Sequence, residues 1–139
     1  MNFEVCIKKR YVNKIGPSLD LAKKELNSAN YDFTRAEKSL EEEDYKWAII
    51  MGYYTIFHSA KALLFKYGYK ERKHFAVLVF LEDLFKKGKL NHKHVKNFKY
   101  ALESREDADY NHIYDKETAE EVLLMAEEFI EEMESLVKK

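Results

Sequence analysis

Between Tyr45 and Tyr67 the chain carries apolar residues on nearly every side of a helix, and this stretch restricts the fold more than any other. Trp47, Ile50, Tyr54, Phe57 and Leu64 recur at helical spacing, and Ile49, Tyr53, Ile56, Ala60 and Leu63 form the adjoining stripe. Met51, His58, Ala62 and Phe65 carry the apolar surface further round. A helix of this kind must be central to a bundle or cover a second subunit as well. Ala48, Gly52, Ser59 and Ala60 would let neighbouring helices approach closely. Asp44 is placed to cap its start and Gly68 to stop it.

The flanking segments read as partners for that helix. Gly16-Pro17-Ser18 is a break after which a helix should begin, and Leu19, Ala22, Leu26, Ala29, Phe33, Ala36 and Leu40 then follow at steps of three and four. A shorter helix is expected from about Phe75 to Lys86, with Leu78, Leu81, Leu84 and Phe85 inward. Another begins near Asn91 and carries Val95, Phe98, Ala101 and Leu102. The last starts at about Glu117 and buries Val122, Ala126, Phe129, Ile130 and Met133. No strand pattern is expected past the first dozen residues. The expected fold is all-α, an up-and-down helical bundle of about five helices over residues 18–139, with residues 1–17 as an N-terminal tail.

Bulk properties exclude several classes. At 139 residues with one Pro and four Gly, the chain is one domain without linkers. Cys6 is the only cysteine, so neither an internal disulfide nor a Cys-based metal site is expected. The His92-x-His94 pair diverges by about 200° on a helix and chelates poorly, so no metal is expected; with no Gly-rich phosphate loop in the sequence, no cofactor is expected either. The start of the chain has no apolar signal region and no window reads as a membrane span, which implies a cytoplasmic protein. The net charge of −1 hides an asymmetry. Eleven Lys or Arg stand against three acids from Lys61 to Lys99, whereas eight Glu and no base lie from Glu117 to Glu134. A basic middle can attract a polyanion, although two solvated faces of opposite sign explain it equally well.

The stretch from Arg105 to Tyr114 holds the candidate chemistry. An arginine keeps a permanent charge for a phosphate, and a histidine moves a proton near neutral pH. On an unbroken helix Arg105 and His112 would be nearly superposed, with Cα atoms about 10.5 Å apart along the axis. Asp109 shares that face and can orient the guanidinium. Asp107 to Asn111 are poor helix formers, so fraying or a kink is expected there. RNA supplies its own nucleophile, the 2′-hydroxyl; cleavage needs a base, an acid for the leaving 5′ oxygen, and positive charge at phosphorus. A two-fold dimer would bring two Arg–His pairs to one cleft. The plainer alternative is an ordinary Arg105–Asp109 ion pair with His112 ending the helix.

Four blocks carry a resemblance: Tyr45-Lys46-Trp47-Ala48; Tyr53-Tyr54-Thr55-Ile56-Phe57-His58-Ser59-Ala60-Lys61-Ala62-Leu63-Leu64; Lys73-His74; and Arg105-Glu106-Asp107-Ala108-Asp109-Tyr110. In this order they resemble the small free-standing prokaryotic HEPN domain (higher eukaryotes and prokaryotes nucleotide-binding), over about Leu19 to Val137. The resemblance implies a homodimer whose cleft holds an Arg-x6-His ribonuclease motif, here Arg105 and His112. It implies a metal-independent endoribonuclease toxin paired with a minimal nucleotidyltransferase antitoxin. It further implies Tyr114, two residues after the motif histidine, as a candidate for adenylylation. Asp109, Tyr110, Tyr54, His58 and His74 fall in the matching blocks and are expected to support the cleft, His58 also being readable as a satisfied core histidine. Glu106, next to the motif arginine, would repel phosphate and favours a rival: a non-catalytic module that binds a nucleotide or docks a nucleotidyltransferase. A third reading is an adaptor bundle that uses the apolar second helix for partners.

Overall fold

The computed structural model describes every residue from Met1 to Lys139. In chain order the elements are α1 (Phe3–Lys8), β1 (Val12–Lys14), α2 (Leu19–Glu41), α3 (Tyr45–Lys66), β2 (Tyr69–Glu71), α4 (Phe75–Lys86), α5 (His92–Tyr110) and α6 (Lys116–Lys138). The fold is an all-α bundle, as expected, with six helices in place of about five. The expected starts hold: Ser18 Oγ accepts from the Leu21 amide at 3.1 Å, and Asp44 Oδ1 accepts from the Trp47 amide at 3.3 Å.

α3 is the axis of the molecule. It packs against α2, α4, α5, α6 and β2, which is why it is apolar on so many sides. By length and composition alone it could cross a membrane, contrary to the sequence expectation, but 78% of its apolar window is buried within the bundle. That surface is spent on other helices. Three residues of the expected apolar stripes face out. Leu19 and Trp47 are each 49% exposed, and Phe85 is 41% exposed and stacks on His92 of α5. Each lies near an end of its helix, where the bundle covers it only in part.

The first seventeen residues are not a tail. α1 places Phe3 and Cys6 in the main core, and Val12 of β1 joins them. β1 runs antiparallel to β2 with Val12 opposite Glu71 and Lys14 opposite Tyr69. Phe3 meets Tyr69 edge-on at 5.1 Å and Phe80 at 5.4 Å. The Gly16-Pro17 break lies directly against Gly68, whose φ is positive and where a Cβ would stand 2.9 Å from the Pro17 nitrogen, so there is no room for a side chain.

One histidine is buried in the bundle. His94 is 2% exposed, meets the Phe129 ring edge-on at 5.7 Å, and leaves its Nδ1 without a hydrogen-bond partner. Burial pushes its pKa below the ordinary value, with Glu132 opposing in part. The unfolded chain therefore takes up this proton first as the pH falls. The stability that the neutral ring contributes is complete above about pH 6.5. It is lost as the pH falls through the lower folded value. Urea unfolding from pH 7.5 to 5 should show stability falling with acid. His94→Leu should flatten that slope, and an unchanged slope would assign the acid sensitivity elsewhere.

Candidate functional site

α5 brings Arg105 against α3. Its Nη2 donates to the Tyr54 hydroxyl at 3.3 Å and lies 3.4 Å from Asp109 Oδ2. The guanidinium carbon stands 5.6 to 5.9 Å from the ring centres of Tyr53, Tyr54 and Tyr110. The side chain is 21% exposed and its Nε is buried without a partner. Burial pushes the Tyr53 hydroxyl far above its ordinary pKa, against the pull of Arg105, so that ring remains a neutral phenol beneath the cation. Arg105 is thus a held cation with one edge toward solvent.

The contact continues along α3. The Tyr54 ring lies 6.0 Å from the His58 ring, one helical turn on. His58 Nδ1 is 2.8 Å from Glu25 Oε2 and its Nε2 is 3.7 Å from Asp32 Oδ2. Phe57 bridges His58, at 5.6 Å, and His74, at 4.6 Å. Lys61 Nζ lies 3.8 Å from Glu25 and 3.5 Å from Glu71. Burial alone would raise the Glu25 carboxyl, but the His58 hydrogen bond and the Lys61 charge outweigh it and hold the pKa below its ordinary value. Burial raises that of Asp32, despite the opposing effect of His58.

Arg105, Asp109, Tyr110, Tyr54, His58 and His74 therefore form one contiguous chain of contacts. His112 stands outside it. α5 ends at Tyr110, and His112 adopts a left-handed backbone with φ of 56°. The Asp107 carbonyl accepts from both the Asn111 and Ile113 amides, which closes the helix end. The superposition of Arg105 and His112 on an unbroken helix is thus corrected: the poor helix formers end the helix, and His112 sits exposed in the turn beyond it. Tyr114 is 42% exposed and lines a hollow of about 440 Å³ with Trp47, Tyr45 and Asp44. Glu106 is exposed beside the motif.

The sequence reading missed Glu25, Asp32 and Tyr53. Glu25 and Asp32 are two helical turns apart and so share a face of α2, the one signal that marked them as a pair. The largest hollow, about 490 Å³, lies elsewhere, between α2 and α6, with an apolar floor that includes Phe33, Leu40, Leu123 and Leu124. The Arg105 face is shallower, and its claim rests on chemistry rather than on concavity.

No curated protein matches the chain in sequence. The family model described as HEPN domain matches residues 22–136, which takes in α3, the whole Tyr54–His58 line and the Arg105 segment. By that match, extending over most of its length, the chain belongs to the HEPN domain family.

Proposed function

We propose that this HEPN protein is a metal-independent endoribonuclease, with Arg105 binding the scissile phosphate and His112 moving a proton at a cleft between two copies. The observation that carries this reading is the held guanidinium. Arg105 is fixed by Tyr54 and Asp109 and stacked by three tyrosines, so its phosphate-binding fork needs little ordering on binding. Exposed Tyr110, Ile113 and Tyr114 beside the motif suit a surface that a second copy covers. Such a homodimer would bring two copies of the exposed His112 toward one phosphate. The reading extends to a cytoplasmic toxin whose antitoxin is a minimal nucleotidyltransferase, in keeping with the family resemblance.

The test is cleavage of single-stranded RNA in EDTA by wild type, Arg105→Ala and His112→Ala, each checked for folding and for dimerisation by sedimentation. Activity in wild type alone supports the reading; an inactive wild type ends it. In that event the exposed His112 and the adjacent Glu106 favour the second reading, a non-catalytic module that binds nucleotide or docks a nucleotidyltransferase. Equilibrium binding of ATP or AMP to an RNase-inactive protein would select that reading.

Tyr114 is accessible enough to be modified. Incubation with ATP and a partner nucleotidyltransferase should add an adenylyl group, seen by intact mass, and silence cleavage. Tyr114→Phe should block both. Adenylylation that persists in Tyr114→Phe would move the site to another residue.

A further inference from the structure

The proposed reaction needs two proton transfers, and one protomer contains a second histidine on the face that holds Arg105. His58 differs from His112 in every local respect. It is half-buried, one turn from the tyrosine that anchors Arg105, and held by a carboxylate at Nδ1. A carboxylate on one ring nitrogen fixes the ring's orientation and leaves the other nitrogen for chemistry. The other nitrogen, Nε2, faces Asp32 at 3.7 Å, within ion-pair reach but beyond hydrogen-bond length, so its proton is committed to no hydrogen bond. A ring carrying two N–H groups meets an acceptor at Nδ1 and a facing anion at Nε2, whereas a ring without the Nε2 proton turns a lone pair toward Asp32.

We infer that His58, oriented by Glu25, is the acid of this site: its Nε2–H protonates the departing 5′ oxygen while His112 takes the 2′-hydroxyl proton. This assignment rests on the ribonuclease reading. In the step, the O2′–H bond breaks to His112 and O2′ forms a bond to phosphorus. The P–O5′ bond breaks, and its electron pair takes the proton from His58 Nε2. The products are a 2′,3′-cyclic phosphate and a 5′-hydroxyl, and the two histidines exchange protons with water to reset. Around His58, α2 contributes Glu25 and Asp32, α3 contributes Lys61, β2 contributes Glu71 and Lys70, and α5 contributes Arg105 across Tyr54. Glu25 is a positioning residue; it touches His58 and Lys61 and not the substrate.

A leaving group that needs no proton separates this role from a structural clamp between α2 and α3. Cleavage is compared for ordinary RNA and for the same oligonucleotide with sulfur in place of the bridging 5′ oxygen at the cut linkage. His58→Gln should slow ordinary RNA about 10²- to 10³-fold and leave the sulfur substrate within a few-fold of wild type. Arg105→Ala should slow both. Glu25→Gln should show a smaller deficit that the sulfur substrate also relieves, and it gives the reading if His58→Gln does not fold. Equal losses on both substrates, or no loss on ordinary RNA, overturn the assignment. A wild type that cuts neither substrate removes the ribonuclease reading itself, and the assignment with it.

Discussion

Arg105→Lys should cleave RNA roughly 10²- to 10³-fold more slowly than wild type, the cost of losing one preorganised donor to a charged transition state. The substitution keeps a positive charge, so net attraction of RNA persists. What it removes is the planar fork. In the structure one nitrogen of that fork already serves Tyr54 and Asp109 while the plane lies among three tyrosine rings. A lysine ammonium is a point charge on a flexible stem and cannot hold both anchors while presenting an edge to phosphate. Thermal stability should change little, since an ammonium retains part of the cation–aromatic attraction, about 1 kcal/mol at such sites. Single-turnover cleavage in EDTA measures the effect. A lysine variant within about threefold of wild type would show that charge alone suffices and that the guanidinium geometry is incidental. Asp109→Asn, which weakens one anchor and leaves the fork, should lose less than Arg105→Lys.

The bundle was legible because its helices announce themselves. Ser18 and Asp44 cap helices that begin where their side chains require, and Gly68 and Gly88 stand just past helix ends. The inward residues of α6 all proved buried, since its apolar stripe is cleanly separated from its glutamates. The N-terminal packing was not legible. β1 and β2 have three residues each, too few to show an alternating period, and α1 spans six. Their order comes from tertiary contacts: Phe3 fills a space between Tyr69 and Phe80 that no local pattern reveals.

The Arg105 face was legible in part. The i,i+4 relation gave the Arg105–Asp109 pair, but the anchor on Tyr54 spans 51 residues and exists only once α5 packs on α3. The end of α5 was poorly marked for a related reason. The left-handed residue that closes it is His112 rather than glycine, so the usual stop sign is missing. His58 showed the converse. The sequence left it between core and cleft, and the structure makes it half-buried with a carboxylate facing each ring nitrogen.

Gly52→Leu should cost about 3 kcal/mol or more, a large share of the stability of a domain this size. Gly52 lies where α3 meets α6. A Cβ built there would stand 2.7 Å from Val122 Cγ1 and 3.4 Å from Leu123 Cδ1. Val122 is fully buried and β-branched, so its methyl group cannot swing aside by a cheap rotation. The helices must separate instead, which opens the packing of Phe129 and Met133 further along α6. Gly52→Ala sets two effects against each other. Alanine favours a helix interior by about 1 kcal/mol over glycine. The 2.7 Å contact opposes that gain, and overpacking of this kind typically costs 1–3 kcal/mol, so a net loss of about 1 kcal/mol is expected. Val122→Ala removes the methyl that causes the clash. In urea unfolding, the Gly52→Ala, Val122→Ala double variant should therefore be more stable than the sum of the single losses predicts. Strict additivity, or a stabilised Gly52→Ala, would mean that the α3–α6 spacing is not set by this glycine.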